Sequence, residues 1–218
     1  MKNKLFLCVL ALMFFTSKVI ANDEIQNLSA DEALNKLKKG NARFVAMKLK
    51  HPDSTRKRRI EMLKGQHPFV AILSCSDSRV PPEIIFDQGL GDIFEIRNAG
   101  NVLNKHVIGS IEYAVMHCGV NLVVIMGHQD CGAVNATLSK VKETEFIQAL
   151  EDSIQPAVEN CKLKGVEITA DNVVKEHVIQ DIEELLEQDS TLVKYIKEKN
   201  VKIVPAYYNL ETGKVHFL

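Results

Sequence analysis

The chain has 218 residues, 46% of them hydrophobic, with 27 Lys+Arg against 28 Asp+Glu, five cysteines and no tryptophan. That length and balance suit one medium globular domain and disfavour intrinsic disorder, collagen-like repeats and disulfide-stapled miniproteins. A net charge of −1 gives no electrostatic case for nucleic acid or an anionic membrane as partner, and an odd number of thiols cannot all pair within one chain.

Met1–Lys4 is basic, Leu5–Phe15 is an unbroken apolar run, and Ala21 offers a small residue for cleavage. This pattern predicts a secretory signal peptide over residues 1–21, the run being too short for a membrane span. Cys8 lies inside the run and leaves with it. Cleavage takes three lysines and no acid from a chain of net charge −1, so the 197-residue product, residues 22–218, carries −4. The expectation is an exported protein, periplasmic or secreted, with no membrane attachment in its mature form.

Ser29 and Glu32 form a capping box, and Ala33, Leu34, Leu37 and Phe44 follow at mostly helical spacing, which predicts a first helix. His51–Lys64 is charged, densest at Arg56–Arg59, and reads as a solvated turn beside Ile60, Met62 and Leu63. Phe69–Leu73, Ile93–Ile96 and Leu122–Met126 are short, rich in branched residues and bounded by Gly, Pro or Asp, as buried strands are. Between the last two, Val107 to Cys118 places Ile108, Ile111, Val115 and Cys118 on one helical face, giving a strand–helix–strand crossover of the parallel kind. Glu145–Lys164 and Asn172–Lys199 read as two further helices, the second with Val173, His177, Ile182, Leu185 and Leu192 at apolar or semi-apolar positions. Val201–Tyr208 and Lys214–Leu218 close as a hairpin over Glu211-Thr212-Gly213. The predicted fold is α/β: a single domain with a mostly parallel central β-sheet flanked by helices.

Two strand ends carry unusual chemistry. Phe69–Leu73 runs into Ser74-Cys75-Ser76-Asp77-Ser78-Arg79, and Leu122–Met126 runs into Gly127-His128-Gln129-Asp130-Cys131-Gly132. Loops at the carboxyl ends of parallel strands share one sheet edge, where α/β folds place ligands. Cys75, Asp77, His128 and Cys131 therefore converge there. Two thiolates and an imidazole suit zinc, and three protein ligands leave the fourth position open, as in catalytic sites. Cys131 begins the helix predicted over Gly132–Lys140, whose positive end favours its thiolate. Ordinary packing of the cysteines, a Cys75 nucleophile with His128 as base, and a Cys75–Cys131 redox pair remain open on these residues alone.

The order of the motifs is more telling than any one of them. Cys75-Ser76-Asp77-Ser78-Arg79-Val80-Pro81, then Phe94-Glu95-Ile96-Arg97-Asn98-Ala99-Gly100-Asn101, then Gly127-His128-Gln129-Asp130-Cys131-Gly132-Ala133, and finally Tyr207 to Val215 follow one another. In these blocks the sequence resembles the β-class carbonic anhydrases over almost all of residues 22–218. The resemblance implies one zinc ion per subunit on Cys75, His128 and Cys131, with Asp77 and Arg79 as a catalytic pair. It implies reversible hydration of carbon dioxide to bicarbonate, by water that the metal acidifies. It also implies a homodimer, often doubled to a tetramer, with the amino-terminal helices packed on the neighbouring subunit.

Asp77 has two roles within that resemblance: it accepts a hydrogen bond from the attacking water, or it ligates the metal and closes the site. Arg79 decides between them by a bidentate pair. Members regulated by bicarbonate use a Trp three residues before the first zinc Cys, with an Arg and a Tyr. Arg97 and Tyr208 stand where the last two belong, but Ile72 takes the Trp position, so cooperative bicarbonate inhibition is not expected. Gln88 lies near the substrate-proximal Gln of the plant-like members, one residue off register at Gly89, and is not assigned. His51, His67, His106, His117, His177 and His216 are unranked as proton shuttles. Nothing pairs Cys118 with Cys161. The competing readings are a same-fold enzyme acting on carbon disulfide or carbonyl sulfide, and a non-catalytic zinc or thiol-redox module. Asp77 and Arg79 beside an open ligand position speak against the module.

Overall fold

The computed structural model describes residues 28–139, 141 and 144–218; the expected signal peptide and Cys8 lie outside the described residues. In chain order the elements are α1 (Ala30–Val45), α2 (Arg56–Glu61), β1 (Val70–Cys75), α3 (Pro82–Ile85), β2 (Ile93–Asn98), α4 (Lys105–His117), β3 (Leu122–His128), α5 (Gly132–Ser139), α6 (Glu145–Leu163), α7 (Ala170–Gln188), α8 (Ser190–Lys199), β4 (Lys202–Tyr208) and β5 (Val215–Phe217).

Local chemistry sets most boundaries. The Ser29 hydroxyl accepts from the Glu32 N–H at 3.3 Å while the Glu32 carboxylate accepts from the Ser29 N–H at 3.0 Å, the reciprocal cap that starts α1. Two expectations need correction. The basic segment expected as a turn contains a short helix, α2, because the Thr55 hydroxyl accepts from the Arg58 N–H at 3.1 Å and caps it. The helix expected over Asn172–Lys199 is two: Asp189 ends α7 and its Oδ1 accepts from the Leu192 N–H at 2.8 Å, starting α8.

The strands form one sheet in the order β2-β1-β3-β4-β5, all parallel except β5, which runs antiparallel to β4. Every residue of β1 and β3 is buried, so these central strands read as continuous apolar runs rather than alternating ones. Ile72, Val124 and Met126 face one layer with Ala33 and Leu37 of α1, while Leu73, Val123 and Ile125 face the other with Ile111 and Val115 of α4 and Val178 and Leu185 of α7. Each fully buried Ile or Leu contributes about 1.5–3 kcal/mol, which anchors the two strand ends that carry the chemistry. Among the described residues no helix is long and apolar enough to cross a membrane.

Candidate metal centre

β1 and β3 are neighbours, with Ser74 opposite Met126, so the next residues bring Cys75 and His128 to one edge. Cys131 follows three residues after His128, at the start of α5. One donor atom from each of Cys75, His128 and Cys131 lies within 4.8 Å of the others, and all three residues are buried. Gly127 is required by the approach of α7: a Cβ there would meet Val174 Cγ1 at 2.5 Å and Val178 Cγ2 at 2.9 Å.

His128 is fully buried and its Nδ1 donates to the Gln129 carbonyl at 2.8 Å. That bond puts the proton on Nδ1 and leaves the Nε2 lone pair free. Nε2 has no hydrogen-bond partner, a costly state for a buried acceptor. Cys75 Sγ accepts from the Asp77 N–H at 3.4 Å and the Gly100 N–H at 3.3 Å. The neighbouring Cys131 thiol, with those two amides, pulls the Cys75 thiol below its usual range against the opposition of burial. Cys131 is pushed up by the Cys75 thiol and by burial, although the Ala133 and Val134 amides at the start of α5 pull the other way. Two adjacent sulfurs and an orphaned imidazole nitrogen are satisfied together by a soft divalent cation, so the donor set fits zinc.

Asp77 stands beside this set, its Oδ2 3.9 Å from His128 Nε2. The Arg79 backbone N–H and Nε reach Oδ1 at 2.8 and 3.0 Å, and Nη2 reaches Oδ2 at 2.8 Å. The guanidinium holds the Asp77 carboxyl down to about 2. Sequence reasoning missed two further partners. Arg79 Nη2 also donates to the Asp130 carbonyl at 3.1 Å and Nη1 to Asp130 Oδ2 at 3.3 Å, tying the two site loops together. Arg97 donates from Nε to the Cys75 carbonyl at 3.0 Å and from Nη2 to the Asp77 carbonyl at 2.7 Å. Arg97 lies within β2, near its carboxyl end, in a strand of which only Ile96 is buried.

The remaining candidates fall elsewhere. Ile72 and Tyr208 are buried in the α1-side core. Gln88 is buried too, its Nε2 donating to the Phe86 carbonyl at 2.7 Å. Cys118 and Cys161 are buried free thiols. His177 is buried, its Nε2 donating to the Gly100 carbonyl at 3.0 Å, and burial pushes its pKa down to about 4; it is no shuttle. His51, His67, His106, His117 and His216 are exposed.

The comparisons with known proteins agree with this geometry. A family model described as carbonic anhydrase matches residues 70–215. The chain is 38% identical to a carbonic anhydrase of Mycolicibacterium smegmatis over 82% of its own length and 88% of the relative's. It is 37% identical to carbonic anhydrase 2 of Mycobacterium tuberculosis, over 86% and 92%. The β-carbonic anhydrase CafA of Aspergillus fumigatus superposes with a TM-score of 0.66 at 28% identity, covering 86% of this chain and 89% of that one. A structure of two tetrameric β-carbonic anhydrases from Sordaria macrospora gives 0.67 at 24% identity, over 73% and 85%, a likeness of fold. With its sheet, its Cys-His-Cys cluster and these relatives in agreement, the chain belongs to the carbonic anhydrase family.

Proposed function

We propose that residues 22–218 form an exported, homo-oligomeric carbonate dehydratase in which Cys75, His128 and Cys131 hold one zinc ion and Asp77 and Arg79 serve the reaction. The observation that carries the reading is the orphaned, buried Nε2 of His128 facing two thiols, with Asp77 Oδ2 3.9 Å away.

Zinc held there supplies Lewis acidity, bringing the pKa of water down to about 7 and making it a nucleophile toward CO2. Asp77 Oδ2 accepts a hydrogen bond from the attacking water and aims its remaining lone pair at the substrate carbon. A carboxyl held near 2 does not keep a proton at neutral pH, so Asp77 orients and does not act as the base. Arg79 keeps that carboxylate ionised and engaged with its own guanidinium, so that zinc held by Cys75, His128 and Cys131 would keep a ligand position for water. As the C–O bond forms, one proton leaves for solvent or buffer, and bicarbonate departs.

The assembly reading draws on the exposed apolar side chains Val45, Met47, Ile60 and Leu63, which a second copy would cover. Val45 and Ile60 lie in the amino-terminal helices α1 and α2, with Met47 and Leu63 just beyond their ends, and the Sordaria relatives are tetrameric. Export draws on the composition of residues 1–21; intact mass of the protein recovered from the periplasm should begin at Asn22.

Stopped-flow assay of residues 22–218 with CO2, and with carbon disulfide and carbonyl sulfide as rivals, tests the activity. Hydration of CO2 without hydrogen sulfide release is expected; sulfide release without CO2 hydration would favour the rival substrates.

A further inference from the structure

The turn leaving β2 supports the metal centre from behind. Within Ala99–Asn101, Gly100 has φ 73° and Asn101 φ 49°, two successive left-handed residues. Glycine enters that region freely, whereas asparagine does so at a cost. The turn is wedged between helices: a Cβ on Gly100 would lie 3.0 Å from both Ala133 Cβ and Ile154 Cδ1.

α7 holds the turn by hydrogen bonds. The Gly100 N–H donates to Cys75 Sγ at 3.3 Å, and the Gly100 carbonyl accepts from His177 Nε2 at 3.0 Å. The Asn101 side-chain amide donates to Asp181 Oδ2 at 3.1 Å. His177 and Asp181 lie one helical turn apart and are each 2% exposed, with His177 Nε2 3.6 Å from Asp181 Oδ2. Because a carbonyl only accepts, the proton sits on His177 Nε2, and the buried Nδ1 has no partner. A buried imidazole with one nitrogen unsatisfied packs worse than a leucine of similar size. What the histidine supplies at this position is its bond to Gly100.

We propose that His177 is a positioning residue for the metal centre: while Asp181 holds Asn101, His177 fixes the Gly100 turn so that the Gly100 N–H stays on the Cys75 sulfur. The inference rests on the reading of Cys75, His128 and Cys131 as zinc ligands. An N–H on a thiolate fixes the direction of the sulfur and tempers its charge, so releasing the turn weakens and redirects the ligand.

Three substitutions and a control test this. His177→Leu removes the donor, His177→Asn keeps a polar side chain too short for the carbonyl, and His177→Gln restores an amide that reaches it. Leu185→Ala, buried on α7 away from the turn, controls for general destabilisation. Zinc affinity is read by competition with a chromogenic chelator, sulfur ligation by the thiolate-to-cobalt absorption band of the cobalt-loaded protein, and folding by thermal midpoint. His177→Leu and His177→Asn should weaken zinc about 10–100-fold and shift the band, while His177→Gln stays within about threefold of the unsubstituted protein. Leu185→Ala should lower the midpoint and leave affinity and band alone. If His177→Leu does not fold, the Asn–Gln comparison decides. Unchanged affinity and band in His177→Asn, or an equal loss in Leu185→Ala, overturns the positioning role. An unsubstituted protein with no zinc and no cobalt–thiolate band overturns the ligand reading itself, and this inference with it.

Discussion

Arg79 grips both carboxylate oxygens of Asp77, Oδ1 through its backbone N–H and Nε and Oδ2 through Nη2 at 2.8 Å. The pair sits beside His128 Nε2 without joining the three-donor cluster. Asp77→Asn should therefore keep full zinc and lose about 10²-fold in CO2 hydration, the cost of a misoriented nucleophile. Arg79→Ala should also keep zinc and lose turnover, because the freed carboxylate is then able to close the ligand position. Zinc content measured with hydration rate checks both; near-normal rates in Asp77→Asn would remove Asp77 from the mechanism.

The same pair sets a pH dependence of stability. Asp77 is held at about 2 in the folded chain against an ordinary 3.8. A depressed carboxyl stabilises the fold at pH values above its unfolded pKa, and that contribution fades as pH falls toward the folded one. Thermal midpoints taken from about pH 5 down to about pH 2 should fall along a shallower curve in Arg79→Ala than in the unsubstituted protein. Identical curves would mean that the pairing contributes nothing.

Two thiolates would bring two negative charges to zinc held by Cys75, His128 and Cys131, making it a weaker acidifier of water than a metal on three neutral imidazoles. The hydration rate should rise from neutral into mildly alkaline pH. A profile that declines above neutrality would contradict the ligand set.

Gly127 carries the helix contact that seats His128. Gly127→Ala places a methyl 2.5 Å from Val174 Cγ1, an overpacking that costs about 1–3 kcal/mol. The thermal midpoint should drop by about 2–4 °C per kcal/mol, with weaker zinc binding because β3 ends one residue later. An unchanged midpoint would show that α7 shifts freely away.

Bicarbonate should inhibit without cooperativity. Ile72 is fully buried in the α1-side core, and Arg97 is committed to the Cys75 and Asp77 carbonyls. An initial-rate series against bicarbonate should be hyperbolic; a sigmoidal one would reveal a second anion site.

The parts of this chain that were legible before folding are those written in apolar runs and strand-end motifs. Leu122–Met126 reads as a buried parallel strand because both its faces are covered, and the parallel edge then brings Cys75 and His128 together. The break at Asp189 was missed because helical periodicity runs through it, although Asp189-Ser190 ahead of Leu192 carries a capping pattern. Arg97 and His177 were read as a regulatory remnant and a semi-apolar helix position. Their partners are backbone carbonyls of Cys75, Asp77 and Gly100, and a carbonyl leaves no mark in a sequence. The four cysteines among the described residues are all free and buried, and two of them share the donor cluster with His128.

The central claim is that Cys75, His128 and Cys131 hold the zinc that hydrates CO2. Zinc content and CO2 hydration rate, measured together on residues 22–218 and on Cys75→Ser, test it most directly. One zinc per chain with rapid hydration, and loss of both in Cys75→Ser, is the predicted result. Full zinc without hydration in the unsubstituted protein, or undiminished hydration in Cys75→Ser, would contradict it.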